Sequence, residues 1–332
     1  MPKYSVIVPV YNRIDEVDDL LCSLASQTFR DFETIIVEDG STEPCREAVE
    51  RYRDRLDVSY YYKENEGRSI ARNYGIERSK GDMLVFFDSD CVIPADYFEK
   101  LDRELSARPL DCFGGPDAAH SSFSPVQKAI SFAMTSFLTT GGIRGGKVQM
   151  EKFVPRSFNM GYTRRVYDRV GGFREMFSED IDMSTRIRQA GFSIALIRNA
   201  AVYHKRRVDF RKFWRQVHVF GMSRITLKLL YPDSLKLVHM LPALAVVIGL
   251  ALLLLGIFQS PWWFLPLGVY AVAILIAALI QSKSLKVAAL AVPASVVQIV
   301  GYGTGFIRAW FTKILLRRGR DIDQEISMRK GK

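Results

Sequence analysis

The run Met83-Leu84-Val85-Phe86-Phe87-Asp88-Ser89-Asp90 passes from five apolar residues to two carboxylates one residue apart. Burying an unpaired carboxylate costs several kcal/mol, so an acidic pair placed where a strand leaves the core belongs in a cleft with a cationic partner. Hard divalent cations such as Mg²⁺ take oxygen ligands, often one or two carboxylates completed by substrate phosphates. The run therefore suits a metal–diphosphate site; a strand-end turn with Asp as turn former is the plainer reading. A second acidic pair, Glu179-Asp180, follows Ser178 at the start of a helical run to Gly191. The helix dipole favours acids there, so capping alone would account for it.

These residues need elements to carry them. Tyr4–Val10, Phe32–Val37, Val58–Tyr62 and Met83–Phe87 read as strands, and Asp15–Thr28, Pro44–Arg55 and Gly67–Ser79 as helices between them. The first helix shows the 3.6-residue period through Val17, Leu20, Leu21, Leu24 and Ala25. Strands alternating with helices of this length imply βαβ units and a mostly parallel sheet. Ligands of such sheets bind outside the carboxyl ends of the strands. Those ends carry Pro9–Asn12, Glu38-Asp39 and Asp88–Asp90, so three strands deliver polar residues to one crevice. Further along, Gly114-Gly115-Pro116 reads as a tight turn and Thr139–Gly146 as a flexible glycine-rich loop. That loop lacks the Gly-Lys-Ser/Thr ending of a phosphate loop. His204 closes the strand-like Ala201-Val202-Tyr203-His204, as a structural hydrogen bonder or a ligand.

Composition is ordinary for a globular chain of 332 residues, but it is unevenly distributed. No Asp, Glu, Lys or Arg occurs from Leu237 to Ser282, nor from Val287 to Ile307. A membrane-crossing helix needs about 20 apolar residues, which gives three candidates near Leu237–Phe258, Trp262–Ile280 and Leu285–Trp310. Trp262, Trp263 and Trp310 sit at segment ends, where aromatic belts form. Much of the formal charge of +10 is local: Lys205 to Lys236 holds nine Lys/Arg against Asp209 and Asp233. Its place beside the apolar block points to an anionic membrane surface rather than to nucleic acid. Within it Phe210–Leu229 sets Phe210, Phe213, Trp214, Val217 and Phe220 or Gly221 at helical spacing, as in a basic amphipathic helix of the membrane interface. No signal-peptide pattern opens the chain, so the amino-terminal domain is expected in the cytoplasm. Cys22, Cys45, Cys91 and Cys112 are scattered without metal-ligand spacing and read as reduced thiols.

Taken together, these motifs resemble the family 2 inverting glycosyltransferases of the GT-A fold. Ser5-Val6-Ile7-Val8-Pro9-Val10-Tyr11-Asn12 is similar to the family's first strand. Val37-Glu38-Asp39-Gly40-Ser41 is similar to its nucleoside-binding strand end. Asn65-Glu66-Gly67-Arg68 with Ala71-Arg72-Asn73-Tyr74-Gly75 resembles the helix lining the donor. Phe87-Asp88-Ser89-Asp90 matches its Asp-x-Asp, and Gly171-Gly172-Phe173 with Ser178-Glu179-Asp180 its acceptor-side Glu-Asp motif. The resemblance covers about residues 3–230. Softer features (Phe220-Gly221, Arg224, His239–Pro242 and Tyr302–Phe306) are similar to membrane-bound exopolysaccharide glucosyltransferases of the succinoglycan type.

The resemblance implies a nucleotide-diphospho-sugar transferase fold, Rossmann-like with a mostly parallel sheet, followed by transmembrane helices. The implied division is a cytoplasmic GT-A domain at 1–204, a basic interfacial region at 205–236, a membrane domain at 237–311 and a charged tail at 312–332. It implies a UDP-sugar donor, Mg²⁺ or Mn²⁺, and a lipid-linked saccharide acceptor at the inner membrane. Asp39 would meet the base and Tyr11 stack on it, with Pro9 and Asn12 beside them. Asp88 and Ser89 would touch ribose or sugar, Asp90 and in some relatives His204 the metal. Arg68, Arg72, Arg206 or Arg207 would meet phosphate, with Asn73 on the same helix. Asp180 would be the general base, and Glu179 would orient it or touch the acceptor. Other readings are transfer to polyprenyl phosphate or diacylglycerol, a processive synthase, and a non-catalytic nucleotide-binding scaffold. Against processivity, Gln216-Val217-His218-Val219-Phe220 departs from the Gln-x-x-Arg-Trp of cellulose synthases. Three crossings would also leave Lys313, Arg317, Arg318 and Arg320 outside, against the positive-inside rule.

Overall fold

The computed structural model describes residues 1–118, 123–141, 153–204 and 209–316. They form two compact units, one drawn from 1–118 and 153–204, the other from 123–141 and 209–316. The second unit thus takes in a mid-chain segment that a division at residue 204 assigns to the first.

The first unit is built on β1 (Tyr4–Val10), β2 (Phe32–Asp39), β3 (Val58–Lys63), β4 (Met83–Phe87), β5 (Cys91–Val92), β6 (Cys112–Gly114), β7 (Asp117–Ala118), β8 (Asn159–Thr163), β9 (Ile194–Leu196) and β10 (Val202–His204). Seven of these form one sheet in the order β3-β2-β1-β4-β8-β6-β9. The first four pair in parallel, and β8 runs against both its neighbours, β4 and β6. A small second sheet has the order β5-β10-β7. The helices are α1 (Ile14–Ala25), α2 (Arg46–Glu50), α3 (Arg68–Arg78), α4 (Tyr97–Ala107), α7 (Arg164–Val170) and α8 (Glu179–Gln189).

Central parallel strands are covered on both faces, so they read as continuous apolar runs. Val6 and Val8 of β1, Ile36 of β2 and Phe87 of β4 face α1 and α4, packing with Leu20, Leu21, Phe98 and Leu101. The alternate residues Ile7, Ile35, Val37, Leu84 and Phe86 join Ala71 and Ile76 of α3 and Met183 and Ile187 of α8 on the other face. The result is a three-layer α/β/α body in which β1, β2 and β4 end at the same edge.

The second unit holds α5 (Pro125–Thr135), α6 (Phe137–Thr140), α9 (Phe210–Leu230), α10 (Leu237–Phe258), α11 (Leu265–Ser282) and α12 (Leu285–Ala309). Three of its segments, 237–258, 261–282 and 285–315, are long and apolar enough to cross a membrane. The apolar stripe of α9 is buried at Phe213, Val217 and Gly221, against α12 rather than open to lipid. A Cβ on Gly221 would lie 2.0 Å from the Tyr302 carbonyl oxygen, and one on Gly305 2.0 Å from that of His218. Only glycine permits so close an approach of two helices. Of the proposed glycine-rich loop, Thr139 and Thr140 lie in α6; the residues after Gly141 fall outside the described ones, as do Arg206, Arg207, Arg317, Arg318 and Arg320.

Candidate active site

Asp39 ends β2 and is 3% exposed. Its Oδ1 accepts from the Lys63 ammonium at 2.9 Å and the Glu66 N–H at 3.1 Å, and its Oδ2 from the Gly67 N–H at 2.9 Å. Gly67 sits at φ +102°, and a Cβ there would strike the Glu175 carboxyl 2.7 Å away; only glycine turns the chain so that its N–H faces Asp39. Glu38 faces into the core and organises the next loop, accepting from the Cys45 N–H at 2.8 Å and from the Ser41 hydroxyl. Ser41 in turn accepts the Asn12 N–H at 2.7 Å, and the Asn12 side-chain oxygen accepts the Thr42 N–H at 2.9 Å. Asn12 takes φ +52°, a left-handed conformation Asn tolerates. The ends of β1 and β2 are thereby sewn together. Pro9 lies beyond the last β1–β4 pair, Ile7↔Phe86, where its missing N–H is harmless. Tyr11 projects outward, 51% exposed.

At the end of β4 the carboxylates meet a buried arginine. Arg72 of α3 is fully buried and bonds Asp88 Oδ1 at 2.6 Å and Glu179 Oε1 at 3.0 Å. Its guanidinium also stands 5.5 Å from the centroid of the Phe173 ring. Glu179 accepts further from Arg68 at 2.8 Å and from the Ser157 hydroxyl at 3.2 Å. One side chain therefore ties the Asp-x-Asp turn to the acidic pair that opens α8. This departs from the expectation for Arg72: enclosed between two carboxylates, it has no surface to offer a phosphate. Asn73 departs too. Its amide donates to the Phe173 carbonyl and accepts the Phe173 N–H, both at 2.8 Å, so both ends hold the Gly172-Phe173 segment rather than a donor molecule. Arg68 stays half-exposed, free on its outer side.

Asp180 is 9% exposed. Its Oδ2 meets Arg156 at 3.2 Å and its Oδ1 accepts the Ile181 N–H at 2.8 Å. Ser178 before the pair takes φ +65° and turns the chain into α8. Arg156 and Ser157 have no motif to announce them; only the fold brings them to the acidic pair, 24 and 22 residues along the chain from Asp180 and Glu179 respectively. Nearby, Glu175 packs at the start of α3, where burial raises its carboxyl above the usual range despite hydrogen bonds from Ser69.

Ser89 is buried in the turn Asp88–Cys91, closed by the Cys91 N–H to the Asp88 carbonyl at 3.1 Å. Asp90 follows, and His204 of β10 pairs by its backbone with Cys91 of β5. The small sheet thus brings the Asp90 and His204 positions together. Among the described residues no three His, Cys, Asp or Glu side chains form a closed metal cage. Asp90 offers carboxylate oxygens of the kind a hard cation takes, which substrate oxygens would complete.

Comparison with known proteins agrees with this architecture. Residues 5–171 match the model of "Glycosyl transferase family 2". Glycosyltransferase AglE of Haloferax volcanii is 26% identical over 260 residues, 71% of this chain and 80% of that protein. An uncharacterized glycosyltransferase of Rickettsia bellii is 40% identical over 103 residues, 31% of this chain; the aligned stretch spans only 14% of that protein's length. Among solved structures, the mannosyltransferase PcManGT of Pyrobaculum calidifontis superposes with a TM-score of 0.56 at 17% identity, over 96% of this chain and 88% of that one. The expected GT-A-like α/β body is the fold observed. The chain belongs to glycosyl transferase family 2.

Proposed function

We propose that this enzyme moves a sugar from a nucleoside diphosphate donor, a UDP-sugar, to a lipid-linked saccharide acceptor at a membrane, inverting the anomeric carbon. The observation that carries the reading is the continuous side-chain chain Asp88–Arg72–Glu179, which sets Asp180 at a fixed place relative to the Asp-x-Asp turn. Transfer needs just such a separation, with the nucleotide on one face of the sugar and a base on the other.

On the donor side, a carboxylate accepts about four hydrogen bonds. Asp39 has three filled, and the remaining lone pair suits a base N–H. Exposed Tyr11 offers a ring to the base, with Pro9 and Asn12 shaping the floor. Asp88, held at one oxygen by Arg72, keeps the other for ribose or sugar hydroxyls, and Ser89 lies beside it. Arg68 reaches the diphosphate with its outer nitrogens. Asp90, with His204, would hold Mg²⁺ or Mn²⁺, which supplies positive charge against the departing diphosphate; the PcManGT complex with GDP-Man and Mn²⁺ is compatible with this.

On the acceptor side, Glu179 is engaged by three donors, Arg68, Arg72 and Ser157, which hold it in place. Asp180 is the base. Arg156 pairs with it at 3.2 Å and fixes its orientation. It accepts the acceptor hydroxyl proton as that oxygen attacks the anomeric carbon opposite the nucleotide, an assistance of typically 10²–10⁴-fold. The apolar helices of the second unit support a lipid-linked acceptor. Nucleotide diphosphate release from a panel of nucleotide sugars, with Mn²⁺ and lipid extract, tests the reading. Release from UDP-sugars by wild type and its loss in Asp180→Asn are expected; equal rates for both proteins would overturn it.

A further inference from the structure

The three apolar helices differ in what surrounds them. α10 buries His239 and Ala243 in its first turns and Gly256 at its far end, where the ring of Phe264 covers it. Between these points Leu244, Val247, Leu250 and Leu254 are exposed. α11 buries only Ile274 and Ala278, both in its second half. α12 is unlike them: 44% of its most apolar stretch is buried, against 11% in each of the others.

α12 meets the other two at opposite ends. Val287, Ala288, Ala291 and Ala294 cluster with Ile274 and Ala278 of α11. Gly303 lies against Pro242 and Val246 of α10, and Tyr302 and Phe306 cluster with Ala243. At 1.5 Å per residue, the end of α11 and the start of α10 stand about 20 Å apart along α12. Their other ends meet at the turn Pro261–Phe264, and among the described residues α10 and α11 do not pack along their lengths. The three helices form a triangle with α12 as its base. A third upright span starting beside Ser282 would carry Gly303 roughly 27 Å from the level of the first turns of α10; instead it touches them.

Charge follows the same geometry. Lys236, Lys283, Lys286, Arg308 and Lys313 all lie on or beside the base. The turn at the apex is uncharged from Gln259 to Phe264 and exposes Trp262 and Trp263, as at a membrane boundary. α9 runs beside α12 in the same direction, with Val217 at Gly301 and His218 at Gly305, and it adds exposed Arg211, Lys212 and Arg215 to the base.

We infer that only α10 and α11 cross the bilayer, as a splayed hairpin, and that α12 with α9 lies along the anionic headgroup layer on the face where α10 begins. This rests on the membrane reading of the apolar helices. α10, with 22 residues, is about 33 Å long and suits a hydrocarbon core of about 30 Å. Two crossings return the chain to its starting face, so the basic residues at and after Lys313 satisfy the positive-inside rule that three crossings violate.

The test uses the full chain with Cys22, the exposed native thiol, changed to Ser. Gln259→Cys, Lys283→Cys and Leu316→Cys are labelled with a membrane-impermeant maleimide in sealed vesicles of each orientation. Positions 283 and 316 are expected to react in one orientation and 259 in the other. Reaction of 259 and 316 in the same orientation means three crossings and overturns the inference. Loss of the protein from membranes on alkaline carbonate washing would instead sink the membrane reading. Fusions to Lys332 give an answer free of the cysteine changes: a bright fluorescent protein with inactive alkaline phosphatase supports two crossings, and the reverse refutes them.

Discussion

Arg72→Met removes the buried link between the Asp88 and Glu179 carboxylates. Breaking a buried ion pair by deleting one partner costs about 3–5 kcal/mol, because the other charge is left uncompensated. Glu179, 2% exposed, loses one of its three donors but keeps Arg68 and Ser157. The Asp88 side chain is 31% exposed and can turn to water. The cost therefore falls at the low end, about 3 kcal/mol. At about 2–4 °C per kcal/mol for a body of this size, the first unit should melt roughly 6–12 °C lower. Transfer should fall far more than donor binding, since Asp88 and Glu179 lose their common anchor while Asp39 keeps its partners. A double-mutant cycle with Glu179→Gln sharpens the test. Neutralising Glu179 removes the orphaned charge, so Arg72→Met/Glu179→Gln should be more stable than the sum of the two single changes. Additive losses, or an Arg72→Met protein that melts and turns over like wild type, would refute the clamp.

Three further outcomes are expected. Asp111 is partly buried, which alone would raise its carboxyl, but hydrogen bonds from Ser193 and Arg165 outweigh this and hold it below the usual range. Its stabilising effect is present above the unfolded carboxylate pKa of about 4 and is lost as pH falls through the lowered folded value. Asp111→Asn should thus lower the melting temperature at pH 7, with the gap to wild type closing in acid. Gly221→Leu, whose side chain would enter the Tyr302 backbone, should cost at least the 1–3 kcal/mol or so typical of overpacking; a monodisperse detergent-solubilised peak as heat-stable as wild type would count against the α9–α12 crossing. Asp39→Ala should weaken nucleotide binding by calorimetry about tenfold or more, the worth of one hydrogen bond to a charged group, and unchanged affinity would remove Asp39 from the base contact.

Much of the first unit was legible because its signals are local. Val17, Leu20, Leu21, Leu24 and Ala25, picked out by period alone, are the buried residues of α1. The apolar runs of β1, β2 and β4 mark strands covered on both faces. What depends on distant pairing was not legible. β8 enters between β4 and β6 from about 70 residues away and reverses one strand of the sheet. The strands β5, β7 and β10 are only two or three residues long and carry no periodicity. The same limit affects the site. Asp39, Asp88 and Asp180 announce themselves at strand and helix ends, but Arg72 and Asn73 reveal their roles only through partners some 100 residues downstream. Arg156 sits in no recognisable motif. In the second unit, composition marks helices long enough to cross a membrane; contacts alone tell an upright helix from one lying across others.

Glycosyl transfer with Asp180 as base can be tested by following one turnover of donor labelled with ¹³C at the anomeric carbon. Wild type should yield product of the opposite anomeric configuration to the donor. Asp180→Asn should bind the nucleotide sugar as wild type does yet transfer it at least 10²-fold more slowly. A product that keeps the donor's configuration, or an Asp180→Asn enzyme as fast as wild type, would contradict the assignment.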